Sequence, residues 1–433
     1  MTPYHGRGRR PLACALGLSG AVALGACGGG PAVDLQPIPR PSADGSAAIA
    51  ETTASALYAD GLAVLADAMS VDGTAANGVT SPVGFSVTLA QIALGAQGPA
   101  RDAVDGVLGV TGDADLRAQY GQVWALWSPW LGDPQAVRGK TVPDTPVIAL
   151  NGRIVADDQT TLTATWTQAL ADTWGTPVET LDLQGGGAKA DLDRWVDTAT
   201  GGLVKKSAIV LDQGTRVVGQ NAVVFGAPWQ SPFDPDQTAP QSFTRADGSA
   251  HDVDMMHQTL SARALVTADL TAITLPYGDG GLVAHVLMPA GAGALTSESV
   301  RRAIADLDGA SAGPVDLALP KVDTEGFQDL APTLAALGAG DLLAAGDFAP
   351  MGAAEDGPLA LGQFSAQTVL RMDEAGTVAA AVHEFAMTTS AGGVGPEPLA
   401  VTIDHPYLVV LADAATATPL FMAWIGDPAA SGD

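Results

Sequence analysis

The chain has 433 residues, 47% of them hydrophobic and 15% charged, a composition with ample apolar material for a core and unlike that of a disordered chain. Acidic residues outnumber basic ones 47 to 20, and only five are lysines. Such a surface repels phosphate backbones and argues against nucleic acid and other polyanions as partners.

In chain order, Arg7–Arg10 (RGRR) is a cationic start, and PLACALGLSGAVALGA after it is an apolar run too short to span a membrane comfortably. It ends in Leu24-Gly25-Ala26-Cys27, which resembles the bacterial lipobox, where small residues fit the signal peptidase and the cysteine becomes the lipidated first residue. The plainer alternative is an ordinary signal peptide with a chance cysteine. Residues 1–26 are thus expected to be a lipoprotein signal peptide. Cys27 is the expected lipidation site, and the chain is expected to be exported and anchored at a bacterial cell surface or outer membrane. With Cys14 removed and Cys27 lipidated, no disulfide framework, thiol nucleophile or thiolate metal site remains. Residues 28–48, rich in Gly and Pro, read as a tether, so 27–50 is assigned to it.

From Glu51 a helical pattern begins, with Leu57, Leu62, Leu65 and Met69 at spacings of three to five. Ser81-Pro82 is a cap and first-turn pair for the next helix, and ARDAVDGVLGV predicts another. Asp144–Ala156 predicts a strand and Thr161–Trp174 a helix. Thr215–Ala227 and Ala272–Met288, rich in β-branched and apolar residues, each predict a long buried strand. No repeat and no linker divides the body, so 51–433 is expected to be one large mixed domain.

The residues offer no positive case for an enzyme. The six histidines (His5, His251, His257, His285, His383 and His405) form no short-spaced ligand pair, so no metal site is expected. GGGAK at 185–189 lacks the spacing of a phosphate loop, and no nucleophile elbow is present. No cofactor is expected.

The stretch DEAGTVAAAVHEFAMTTSAGGVGPE, Asp373 to Glu397, reads as a strand that ends as a loop. As a strand, one face is Thr377, Ala379, Ala381, His383, Phe385, Met387; the other is Val378, Ala380, Val382, Glu384, Ala386. Its small residues let a strand slide between neighbours, and Gly376 permits a backbone change where it begins. Read alone, AAAV also suits a buried helix or an ordinary strand, but the flanking Asp-Glu-Ala-Gly and Gly-Gly-Val-Gly-Pro disfavour both.

This stretch and seven others occur in an order that resembles the serpin family from about residue 51 to Pro428. They are Asn77–Gly98, Leu192–Lys206 (W-V-x-x-x-T-x-G-x, then Val204), Asn221–Asp234, HDVDMMHQ, ITLPYGDG, VDLALPK and the run from His405 to Pro428. The resemblance implies an α+β serpin fold, with three β-sheets, about nine helices and an exposed reactive-centre loop at about 374–404. It implies a suicide inhibitor, not an enzyme. A protease attacks the loop, an acyl-enzyme forms, and the loop inserts into the central sheet before deacylation. About a dozen new ladder hydrogen bonds at ~1 kcal/mol each would supply on the order of 10 kcal/mol, comparable to a domain's whole stability.

The resemblance further assigns a hinge (Glu374, Gly376, Thr377, Ala379, Ala380, Ala381), a breach (Lys321 paired with Glu374, beside Trp229) and a shutter (Ser81, Asn221). Two shutter positions depart from the family, with Gly84 for a serine and Ala366 for a histidine. Counting seventeen residues from Glu374 puts the reactive bond at Ser390–Ala391, with Met387 and Val394 as alternatives because the segment from Ala391 to His405 is long. Small residues there suit a serine protease of elastase or subtilisin type. His383, on the inward face, would either fill the space left at Ala366 or be a tolerated polar residue. A monomer is expected, with a target protease and a membrane as partners. The alternatives are a serpin acting as a protease substrate or binding module, and an unrelated lipid-anchored solute-binding protein.

Overall fold

The computed structural model of the chain describes residues 49–70, 77–139, 141–291, 295–345, 347–378 and 397–430. Cys27 and the tether, Ala379–Ala381, His383 and the Ser390–Ala391 bond lie outside the described residues.

Ten α-helical segments are described: α1 (Glu51–Val64), α2 (Ala66–Met69), α3 (Pro82–Ala93), α4 (Gly98–Leu108), α5 (Gly112–Leu126), α6 (Ala164–Trp174), α7 (Ala188–Ala199), α8 (Ser297–Gly309), α9 (Ala331–Ala336) and α10 (Asp341–Ala345). One residue separates α1 from α2, so they make nine helical bodies among the described residues. The start of α3 follows from its first residues. The Ser81 hydroxyl accepts from Gly84 N at 3.1 Å, and Pro82 fills the first turn, where no amide partner is needed. The predicted helix at Thr161–Trp174 begins later, at Ala164, capped by the Thr163 hydroxyl.

The central sheet runs β11 (Val322–Asp329), β14 (Ser365–Met372), β15 (Gly376–Thr377), β5 (Val217–Pro228), β2 (Val147–Ala156), β4 (Val178–Thr180). A second array runs β1 (Asn77–Thr80), β18 (Pro419–Ile425), β17 (Tyr407–Asp413), β9 (Leu282–Pro289), β8 (Leu270–Tyr277), β7 (Ala250–Val266), β10 (Gly313–Pro320), β16 (Leu399–Thr402), with β6 (Ala239–Thr244) also on β7. The 17 residues of β7 run the length of this array, β6 and β10 pairing along its first part and β8 at its end. A small sheet joins β13 (Gly357–Pro358), β12 (Gly352–Ala354) and β3 (Thr160–Leu162). The α+β architecture expected from the sequence is present. The long strand expected at Ala272–Met288 is instead the β8–β9 hairpin, because Gly278 and Gly280 turn the chain at positive φ.

The core lies between the sheets, with α3 beneath the central one. Phe85, Val87 and Leu89 of α3, Ile148 and Leu150 of β2, and Phe225 of β5 share one buried cluster. Burial of such side chains contributes roughly 2 kcal/mol each. Gly61 lets α1 come close, since a Cβ there would stand 2.5 Å from Met422 Sδ and 2.9 Å from Pro82 Cγ.

One ionisable group of α1 is buried against α3. Asp60 is 1% exposed and accepts from the Ser86 hydroxyl at 2.8 Å. Burial pushes its carboxyl up to about 7. In the unfolded chain the group titrates near ~3.9, so folding favours the protonated acid. That contribution is complete below about pH 4 and is lost as pH rises through 7. Asp60→Asn is expected to unfold at a higher temperature than the parent at pH 8, by a few kcal/mol of stability. The gap should close toward pH 4, as read by circular dichroism melts at both pH values.

Candidate functional site

The site is the top of the central sheet, where β14 turns back into β15. Met372 pairs with Thr377, and Gly376 and Thr377 pair with Pro228 and Ala227 of β5. Two residues of the loop stretch therefore already lie between β14 and β5 as a strand. Their turn is fixed by Asp373, whose Oδ1 accepts from Ala375 N at 3.0 Å and Gly376 N at 3.3 Å.

The breach residues named from the sequence meet here. Lys321 Nζ lies 2.9 Å from Glu374 Oε2 and 3.1 Å from Oε1. Thr238, which the sequence gave no reason to single out, donates to Glu374 Oε1 at 2.7 Å. Burial pushes the Glu374 carboxyl up, but the bonds from Lys321 and Thr238 outweigh it and hold the group below its usual range. Asp373 moves the opposite way, raised by burial against its two backbone bonds. Trp229 Nε1 donates to Asp373 O at 2.8 Å, and its amide donates to Ala375 O at 3.0 Å. Its ring stacks on Tyr277 at 4.4 Å.

Tyr277 was likewise missed, because a lone Tyr in a strand looks like any core residue. It is fully buried, and its hydroxyl lies 2.5 Å from Thr377 Oγ1. Thr377 is 1% exposed, so its side chain points into the core, as the alternation of the stretch predicts. Val378 takes the other face, packing with Val137, Ala149 and Val224.

Gly376 is closely packed in this conformation. Its φ is not in the left-handed region; a side chain is excluded because a Cβ would stand 2.3 Å from Ala227 O. The left-handed residue is Val378, at φ 68°, where a β-branched residue is strained by roughly 1–3 kcal/mol.

Below Thr377, β5 and β14 share no ladder of their own among the described residues. Between them lies a cleft of about 760 Å³, floored by Ser81, Gly84 and Thr88 of the α3 region. Ser81 and Asn221 both line it but do not bond to each other. Ser81 Oγ donates to Leu420 O at 2.8 Å. Asn221 Nδ2 donates to Thr88 Oγ1 at 3.0 Å and Gln91 Oε1 at 2.9 Å, and Gln91 Nε2 donates to Thr176 Oγ1 at 3.1 Å. The polar cluster is thus built to one side of the cleft through Thr88, Gln91 and Thr176, three residues the sequence did not flag. Gly84 leaves no hole: a Cβ there would meet Ser81 and Val223 at 3.3 Å.

Comparison with known proteins bears on this geometry. The family model described as "Serpin (serine protease inhibitor)" matches residues 63–428. Serine protease inhibitor 42Dd of Drosophila melanogaster is 28% identical over 352 residues, 78% of this chain and 89% of that protein. The native state of tengpin, a thermophilic serpin, superposes with a TM-score of 0.73 at 20% identity, covering 88% of this chain and 95% of that one. Human thyroxine-binding globulin, complexed with its hormone, gives 0.72 at 22% identity, covering 88% of this chain and all of that one.

Two variants test the hinge. Tyr277→Phe removes the hydroxyl that meets Thr377 Oγ1 and is expected to weaken the seated strand by ~1 kcal/mol. Limited proteolysis at 370–378 should be faster than in the parent. For Glu374 the sign is set by its lowered titration: the Lys321 latch is intact above the usual carboxylate range, ~4.3, and is lost as pH falls below it. Cleavage at the hinge should accelerate below about pH 4 in the parent, whereas Glu374→Gln should cleave quickly at neutral pH as well.

Proposed function

Because the chain belongs to the serpin family, we propose that it is a suicide inhibitor of serine proteases of elastase or subtilisin type, and not an enzyme. The observation that carries this reading is the seated pair Gly376–Thr377 above a cleft whose two facing strand edges share no ladder among the described residues. Strand addition to a sheet, with release of stored strain, is the established physics of serpin loops.

The steps follow from the chemistry. The protease nucleophile attacks the carbonyl of Ser390, the Ser390–Ala391 bond breaks, and an ester joins the two proteins. The freed segment extends β15 downward. The existing register, Thr377 against Ala227 and Met372, carries forward in steps of one: residue 379 meets Phe225 and Leu370, and residue 383 meets Asn221 and Ala366. His383 would then stand beside the polar cluster of α3, at the position where Ala366 leaves room. Extension also takes Val378 out of the left-handed region and returns its strain. The ester persists because insertion outruns deacylation and the attached protease is distorted.

Export and lipid attachment through Cys27 belong to the same reading, which places the trap at a bacterial surface and makes the working unit a monomer. No helix among the described residues is long and apolar enough to cross a membrane. A second reading keeps the fold without the trap, as a protease substrate or binding module. It is favoured by Val382, bulkier than Ala379–Ala381 before it in the segment that must insert, and by a likeness in fold that extends to a hormone-binding globulin.

The test is incubation of residues 28–433 with elastase and with subtilisin, followed by denaturing gels and mass spectrometry. A covalent complex with a released peptide beginning at Ala391 is expected; clean cleavage without a complex overturns the trapping mechanism for those enzymes. Thr377→Arg would have to bury a charge beside Tyr277. It is expected to be cut at the same bond while complex yield falls by at least about tenfold.

A further inference from the structure

A buried arginine joins the cover over the cleft to the sheet beneath it. Arg153 of β2 is 4% exposed and points at α7. Its Nε donates to Gln220 Oε1 of β5 at 2.9 Å, Nη1 to Glu179 Oε2 of β4 at 2.8 Å, and Nη2 to Asp191 Oδ1 of α7 at 3.0 Å. Its guanidinium carbon lies 5.2 Å from the centre of the Trp195 ring. Gln220 completes the link, donating to Leu192 O of α7 at 3.3 Å. One side chain thus ties three adjacent strands to one helix, in the planar fork geometry that only arginine supplies.

What α7 leads into gives this link its consequence. The connection 200–216 roofs the lower cleft: Leu203, Ala208 and Ile209 line it together with the edges of β5 and β14. At its far side the roof is fastened to the segment leading into β14. Val210 N donates to Gln363 Oε1 at 3.0 Å, Gln363 Nε2 donates to Val210 O at 2.8 Å, and Arg216 pairs with Asp356. Those clasps are exposed, and such contacts exchange readily with water. The Arg153 pin is not exposed, and breaking it leaves a buried charge unpaired. A strand continuing from Thr377 in the observed register needs the β5 edge down to Val217, which runs beneath this roof.

We propose that Arg153 and Gln220 are positioning residues that hold α7 and its connection down on the sheet and so set the rate at which an added strand passes from partial to full insertion. This rests on the strand-accepting sheet argued above. The pin resists lifting at the α7 end while the weak clasps release at the other, so the roof opens as a flap and closes again over the inserted strand.

The test uses a fluorescent synthetic peptide of residues 379–388, annealed in trans to the soluble chain and followed by anisotropy and native gels, with no protease present. Arg153→Met/Gln220→Leu replaces the polar pair with apolar groups of similar size, a change that keeps the fold. Asp191 retains its pairing with Arg194, and Glu179 retains water. The double variant is expected to anneal the peptide roughly tenfold faster than the parent, equivalent to about 1.4 kcal/mol off the barrier. Arg153→Lys, charged but without the fork, should fall between. An unchanged annealing rate with a lowered unfolding temperature would show a merely structural role and overturn the proposal. Failure of the parent itself to take up the peptide would overturn the strand-accepting reading instead, and the pin's role with it.

Discussion

Two strand edges that face each other without a shared ladder are the constraint on which this molecule turns. Backbone amides and carbonyls are obligatory hydrogen-bonding groups, and an unpaired pair of edges is a standing template for another strand. Among the described residues, β5 and β14 are bridged at the level of Thr377, with Val378 N donating once more to Arg371 O of β14. On the proposed insertion, an added strand would supply about a dozen ladder hydrogen bonds at ~1 kcal/mol each, comparable to a domain's whole stability.

The hinge is fixed from several directions at once: Asp373 caps the turn, Trp229 bonds its backbone, Tyr277 holds Thr377 from the core side, and Lys321 with Thr238 holds Glu374. No one of these is strong; their number makes the arrangement specific. The strain sits one residue further on, at Val378, where the backbone leaves the strand direction in a conformation a β-branched side chain resists. Deep in the sheet, Asn221 is bonded toward α3 and not across the cleft, so the polar cluster fastens one wall and leaves the other free.

The small residues of the segment after Val378 and the large ones around the hinge serve opposite ends. On the proposed insertion, Ala379–Ala381 would present no side chain that must displace a packed neighbour. Trp229, Tyr277, Phe225 and Phe233 pack tightly at the entrance, their rings within 4.4 to 6.4 Å of one another in sequence, which favours a defined starting point. A loose entrance would let the strand begin in several registers, and a one-residue slip would turn Thr377 outward.

The α+β class, most elements and the family landmarks were legible in the sequence, because each rests on local pattern or ordered motifs. Lys321, Glu374 and Trp229 could be named in advance for the same reason. The β8–β9 hairpin was misread as one strand because two glycines in an apolar run weigh little against its composition. Thr238, Tyr277, Gln91, Thr176 and Arg153 were not legible at all. Each is an ordinary residue for its element, and it gains a role only from a partner tens or hundreds of positions away: Tyr277 from Thr377, Gln91 from Thr176, Arg153 from Gln220 and Asp191. The sequence by itself determined which segment has the small, alternating residues of an insertable strand. Only the tertiary structure decided that Gly376 and Thr377 pair between β14 and β5, that the positive φ falls on Val378, and which side chains tie α7 to the sheet. Those are properties of contacts between distant parts of the chain, and local patterns do not encode them.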